Sequence, residues 1–214
     1  MLISHKHKFA FFNIPKTGTK SAKFTLEEYC DIIGRAFEDD TNFYQHESAY
    51  TAKGKFCNNG WNWDEYFKFT IVRNPWHRYA SLYVWSKNTF AKLDMKDYNK
   101  LSKLDQATYN GFKKLFNKSN LDQKQILRFL IDNNPSQDYF FLIDNKNAMN
   151  YTGRMENIHA EFEHFCHTVG VKYTNLEHHH KSKPYEYKDF YDQELIDLVA
   201  KKEKYTIDHF NYQY

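Results

Sequence analysis

Lys16, Thr17, Gly18, Thr19, Lys20 and Ser21 make a tight polar run directly behind an apolar stretch. Residues 9–14 read as a short strand buried on both faces, Pro15 stops it, and residues 20–29 read as a helix. A strand, a small-residue turn and a helix N-terminus together form an anion site, because unpaired backbone N–H groups converge and the helix dipole adds positive potential. Lys16 adds an ammonium there, and Thr17, Thr19 and Ser21 add hydroxyl donors. The same run also fits an ordinary strand–helix turn with a solvated lysine. The G-x-x-x-x-G-K-[ST] loop of nucleotide triphosphatases is absent.

A second pair mirrors the first. Arg73 follows residues 67–72, FKFTIV, which read as a second buried strand, and so sits at the strand end where ligands bind in open α/β sheets. Ser81 lies eight residues on, two turns into the next helix and on the side facing back to that strand end. A guanidinium and a hydroxyl converging there suit a second phosphate. The competing reading pairs Arg73 with a carboxylate and leaves Ser81 as packing.

The elements that must position these groups follow from pattern. Ile32 and Ile33 begin a further strand, and residues 47–53 form a short helix before a Gly/Asn-rich turn at 55–60. Asn74 caps a helix with Pro75 at its first position, running to about residue 87. Residues 88–120, polar and weakly periodic, read as an irregular, mobile insertion. Residues 121–132 form an amphipathic helix, 139–143 a third strand and 144–147 a hairpin-like turn. Helices follow at 160–169, closed by Gly170, and at 193–209. Buried strands alternating with helices predict an α/β fold with a mostly parallel central sheet in a single domain over 1–214.

Composition sets the outer limits. The 214 residues suffice for one domain with a full core, and 17 Tyr, 19 Phe and 4 Trp argue against disorder. A net charge of +3 fits an anionic ligand but is too weak to argue for nucleic acid. Cys30, Cys57 and Cys166 are too scattered for a disulfide frame. No apolar run reaches the roughly 18 residues of a membrane span, and the first strand begins too early for a signal peptide, so a soluble, cytoplasmic chain is expected.

Taken together, the two anion segments carry a resemblance. Residues 12–21, FNIPKTGTKS, resemble the 5′-phosphosulfate loop of sulfotransferases that use 3′-phosphoadenosine 5′-phosphosulfate (PAPS). Residues 66–83, YFKFTIVRNPWHRYASLY, resemble their 3′-phosphate segment, with its Arg and Ser at the right spacing. Residues 153–158, GRMENI, then Phe162 and Gly170, and later Lys181-Ser182-Lys183 and the stretch 191–214, resemble further shared segments. The likeness runs nearly end to end, weakest over 85–138, and is nearest the carbohydrate sulfotransferases, especially small stand-alone microbial types. One departure stands out: Lys20 occupies a position where the family has a small hydroxyl residue.

What the resemblance implies is a P-loop-like sulfotransferase fold, PAPS as donor and no metal. The partner is an acceptor hydroxyl, most simply on a glycan, with neither nucleic acid nor a membrane span involved. It implies cofactor contacts from Lys16, Thr17, Gly18, Thr19, Lys20, Ser21, Arg73 and Ser81. Lys16 would neutralise charge on the leaving oxygen. His46 falls between the two phosphate segments, where related enzymes carry a catalytic His, and an imidazole with a pKa of about 6.5 suits a base at neutral pH. Glu47 is its sequence neighbour without needing to touch it, and His77 is the alternative base.

Other clusters keep two readings. His178-His179-His180 would need further ligands to hold a metal. Arg154 and Glu156 are an internal ion pair or acceptor groups, the structural role being preferred. Lys181 and Ser182 cap the cofactor or sit in a solvated loop, and Trp61, Trp63 and Tyr66 form a sugar platform or, preferably, core. Rival functions are a nucleotide kinase, which lacks its loop and an evident Mg²⁺-binding Asp, and a protein that binds nucleotide or sulfated glycan without turnover.

Overall fold

The computed structural model describes residues 1–35, 43–116, 121–174 and 185–214, and for Thr19 and Lys20 the backbone alone. Its strands are Leu2–Ser4 (β1), Phe9–Phe12 (β2), Ile32–Ile33 (β3), Phe67–Val72 (β4), Leu142–Ile143 (β5), Lys146–Asn147 (β6) and Tyr151–Arg154 (β7). Five of them form one sheet in the order β3-β1-β2-β4-β7. β2, β4 and β7 pair in parallel, in the registers Phe11↔Phe69 and Phe69↔Tyr151. β1 is antiparallel to both β2 and β3, so it alone runs against the other four. The sheet is mostly parallel and the fold α/β, as the buried runs predict.

Both faces of the centre are covered, which is why β2 lacks polar alternation and why Lys68 and Thr70 of β4 are buried, their side chains donating to the Tyr66 and Phe12 carbonyls. Phe9, Phe11, Phe69 and Ile71 point to one side, against Ala22 and Leu26 of the helix Thr19–Leu26 (α1) and Phe162 and Phe165 of Ile158–Val169. Ala10, Phe12 and Val72 point to the other, where the remaining helices pack. Those are Ala49–Asn58 (α2), Pro75–Asp94 (α3), Lys103–Phe116 (α4), Gln123–Asn133 (α5), then, beyond Ile158–Val169 (α6), Gln193–Lys202 (α7) and Lys204–Phe210 (α8). Each fully buried Phe contributes about 1.5–3 kcal/mol through area removed from water.

Several boundaries differ from the sequence reading, each for a physical reason. α2 continues to Asn58, into the expected turn at 55–60, because Ser48 caps it and Phe56 anchors its far end in the core; the chain turns only at Asn59 and Gly60, the latter with φ 70°. Over 88–116, the part of the stretch 88–120 that is described, the chain is largely helical rather than irregular: α3 continues to Asp94 and α4 follows. Its apolar stripe, Tyr109, Phe112 and Phe116, is masked in sequence by interleaved Lys and Asn, yet Phe90 stacks on both Tyr109 and Phe116. Residues 139–143 do not join the central sheet. Asp138–Phe140 is a 3-10 turn, and β5 pairs only with β6 through the hairpin at Asp144 and Asn145, both at positive φ. The place beside β4 goes to β7, where Gly153 allows close approach: an added Cβ would lie 2.9 Å from Ile71 and Glu161 side chains. The last helix is two, broken at Glu203, whose side chain turns inward.

Candidate active site

At the C-terminal end of β2 the chain makes the predicted anion turn. The Thr17 hydroxyl donates to the Ile14 carbonyl at 3.0 Å and is fully buried, so in this conformation it staples the turn rather than facing outward. Lys16 and Gly18 both adopt left-handed backbone, φ 71° and 79°. For Lys16 that conformation is strained, and it recurs at functional sites where the surroundings impose it. Gly18 is required twice over: by its φ, and because a Cβ would sit 2.6 Å from Met155 Sδ and 2.7 Å from Ile158 Cδ1. It is also the N-cap of α1, with no side chain to cover the first N–H groups of that helix. Backbone donors and a helix dipole therefore point out of the turn, as an anion needs.

Arg73 sits one residue past β4, beyond the last ladder pairs Val72↔Arg154 and Thr70↔Phe12. Asn74 caps α3, its Oδ1 accepting from the His77 N–H at 3.1 Å, with Pro75 at the first turn. His77, Ser81 and Trp85 lie four residues apart on α3, so they share one stripe of that helix. The Arg73 charge acts on His77 at one end of the stripe. At the other end the Lys16 ammonium lies over the Trp85 ring, 5.3 Å from its centre. Ser81 falls between them, nearly buried, its hydroxyl without a hydrogen-bond partner among the described residues.

The two segments touch. Arg73 Nη1 donates to the Lys16 carbonyl at 3.2 Å. Burial pushes the guanidinium's pKa down, with Tyr185 and Glu156 opposing, though an arginine stays charged. No described carboxylate lies within ion-pair distance of it, so the expectation of a simple Arg–carboxylate pair is not met. Glu156 lies close enough to act on the half-buried charge but not to pair with it, which leaves the guanidinium able to take an anionic ligand.

His46 reaches the same strand end from another direction. Its Nδ1 is 2.7 Å from the Asn13 carbonyl, three residues before Lys16. A carbonyl only accepts, so Nδ1 carries the proton and Nε2 keeps its lone pair. The protein crowded around the ring lowers its pKa below the ordinary histidine value, the Asn13 bond opposing and the nearby Met1 ammonium adding to the fall, although part of the residue meets solvent. Glu47 turns away: its carboxylate accepts from the Tyr44 N–H, the Thr51 hydroxyl and Lys55 Nζ, the last at 2.7 Å. His77 stacks on Tyr187 at 5.1 Å, and burial with the Arg73 charge pushes its pKa down to about 4.

The remaining candidates separate. Trp61, Trp63 and Tyr66 pack around Phe56 at 5.0–5.4 Å, the preferred core role. Arg154 and Glu156 form no pair with each other. Arg154 donates to the Phe210 carbonyl, while Glu156 accepts from the Asn74 N–H and the Tyr212 hydroxyl, tying residues 210–212 to the Arg73 turn. His178, His179, His180, Lys181 and Ser182 lie outside the described residues. Among the described residues no three His, Cys, Asp or Glu side chains group as metal ligands, no helix is long and apolar enough to cross a membrane, and the cysteines are unbridged. Sequence reasoning missed Trp85 and Gln137. The four-residue spacing from Ser81 was a usable signal for Trp85; nothing local marks Gln137, which reaches Arg73 across 64 residues.

No curated protein and no solved structure matches this chain. A family model described as sulfotransferase family matches residues 1–212 of the 214. A single match of that extent covers the anion turn, the Arg73 segment and His46 alike, and on it the chain belongs to the sulfotransferase family.

Proposed function

We propose that this chain, as one domain, transfers a sulfuryl group from PAPS to a hydroxyl of a carbohydrate. The observation that supports the reading is the contact between Arg73 and the Lys16 turn, which brings two turns, each carrying a cationic residue, side by side at the ends of two adjacent parallel strands. One ligand bearing two separated phosphate-type groups uses both, and adenosine 3′,5′-bisphosphate (PAP) is what remains of PAPS after transfer. The Lys16–Ser21 turn, with Thr17, Gly18, Thr19 and Lys20, takes the 5′ end; Arg73 and Ser81 take the 3′-phosphate.

PAPS supplies the activated sulfuryl group, and the chain's residues do the rest. The acceptor oxygen bonds to sulfur as the bond from sulfur to the bridging phosphate oxygen breaks. The electron pair of that bond leaves on the phosphate, where the Lys16 ammonium offsets its charge. The acceptor proton passes to His46 Nε2, held in the accepting tautomer by Asn13. Positioning and fixed charge supply most of the barrier lowering in such an in-line displacement.

The test is transfer of label from radiolabelled PAPS to a panel of glycans, lipids and small alcohols. Labelled glycan is the expected product. Label on lipid or small alcohol alone would displace the carbohydrate reading, and tight PAP binding with no product on any acceptor would favour a binding protein.

A further inference from the structure

A single buried side chain completes the strand end that carries Arg73. Gln137 is fully buried, and its amide holds both backbone polar groups of Arg73: Oε1 accepts from the Arg73 N–H at 2.8 Å, and Nε2 donates to the Arg73 carbonyl at 2.9 Å. This is the pattern a neighbouring strand would provide, at the residue where both flanking ladders have ended. Gln137 is fixed in turn. Glu203 Oε2 accepts from the Gln137 backbone N–H at 3.0 Å, and Glu203 Oε1 accepts from Arg78 Nη2 at 3.1 Å. Arg78 also donates to the Pro135 carbonyl at 2.7 Å. Since Arg78 lies in the first turns of α3, the chain of bonds closes a loop from Arg73 through Gln137 and Glu203 back to the helix that carries Ser81.

We infer that Gln137 is a positioning residue for recognition of the 3′-phosphate: it extends β4 by one residue and thereby aims the Arg73 guanidinium. Buried polar chains of this kind are costly unless fully bonded, and when bonded they fix one geometry. A binding group must be held to within about half an ångström to act fully. The inference rests on the reading of Arg73 as the 3′-phosphate ligand.

The experiment is calorimetric binding of PAP and of AMP, which lacks the 3′-phosphate, to the full chain and to Gln137→Met, Gln137→Asn and Arg73→Ala. Met keeps the length and removes both bonds; Asn keeps the amide one methylene short of Arg73. In either Gln137 variant the preference for PAP over AMP should fall about tenfold, as for one misaligned charged bond, while AMP affinity stays unchanged. A preference retained by a variant that still binds AMP overturns the inference. If the wild type shows no preference, or Arg73→Ala keeps it, the reading of Arg73 fails instead. Hydrogen exchange of the wild-type Arg73 amide judges Gln137 separately, and if both variants fail to bind AMP it decides the matter: protection equal to that of β4 is expected, and fast exchange overturns the clamp.

Discussion

The Arg73 guanidinium and the Lys16 carbonyl, 57 residues apart in the chain, meet at 3.2 Å. The bond joins the turn after β2 to the turn after β4, so an anion on one segment lies beside the cation of the other. If both segments bind anions as proposed, that contact makes them one extended site.

The first prediction concerns this pairing. PAP should bind well and AMP much more weakly, and Arg73→Ala should remove most of the difference, about 1.5–3 kcal/mol for a charged hydrogen bond. Calorimetry with both nucleotides measures it. Equal affinities in the wild type would rule the arrangement out.

The strands that carry the candidate site were legible because burial on both faces leaves an unbroken apolar run in FAFF and a largely apolar one in FKFTIV, where Lys68 and Thr70 are themselves buried. The turns were legible from Gly18, Asn74 and Pro75, whose local conformations need no tertiary help. What did not show in sequence depends on distant partners. The run at 139–143 has strand composition, but the position beside β4 was decided by how closely Gly153 lets α6 approach. Glu203 interrupts a helical pattern because its carboxylate is drawn to Arg78 and Gln137, residues 125 and 66 positions away. Thr17 has the composition of a ligand donor, yet its hydroxyl is committed to Ile14.

Lys16 sits in the turn with its ammonium over Trp85. Lys16→Ala should lower turnover about 10²–10³-fold, as loss of one preorganised stabiliser does, with the fold intact. Rates at saturating PAPS and a thermal unfolding curve measure the two parts. A near-normal rate would remove Lys16 from the mechanism.

Gly18→Ala tests the turn itself. A residue with a Cβ at φ 79° costs about 1–2 kcal/mol, and the new methyl group must also displace Met155 and Ile158. Stability and PAP affinity should both fall. Adding Met155→Ala should relieve the clash with Met155 but neither the contact with Ile158 nor the backbone part. Full recovery in the double variant would show that φ at position 18 carries no cost.

Arg78 and Glu203 form a pair with almost no solvent contact. Arg78→Met leaves the buried Glu203 carboxylate without its counter-ion, at a cost of about 3–5 kcal/mol near neutral pH. Burial already raises the Glu203 pKa, with Arg78 the main opposing influence. Without Arg78 it rises further, so the folded state holds a proton that the unfolded state, near pKa 4.3, releases as pH rises. The stability deficit of the variant should therefore grow from pH 5 to pH 8. Denaturant unfolding at the two pH values measures it, and a deficit independent of pH would refute the assignment.

The base is decided by pH and by shape together. His46 donates through Nδ1 to Asn13, leaving Nε2 to accept a proton, and its surroundings hold its pKa below the usual 6.5. The wild-type transfer rate should rise with pH through a point below 6.5, where the imidazole becomes neutral, and level off above it. His77, at about 4, would instead place the limb two units or more below the ordinary histidine range. His46→Ala should keep PAPS affinity, since the phosphate ligands lie on other segments, and lose about 10²–10⁴ in rate. His46→Asn separates basicity from shape: its amide can still donate to Asn13 but cannot take a proton at neutral pH. Both variants should lose the acidic limb along with the rate. If His46→Asn keeps most of the activity and the limb persists near pH 4, proton transfer belongs to His77, and the bond from His46 to Asn13 serves only to hold the strand end in place.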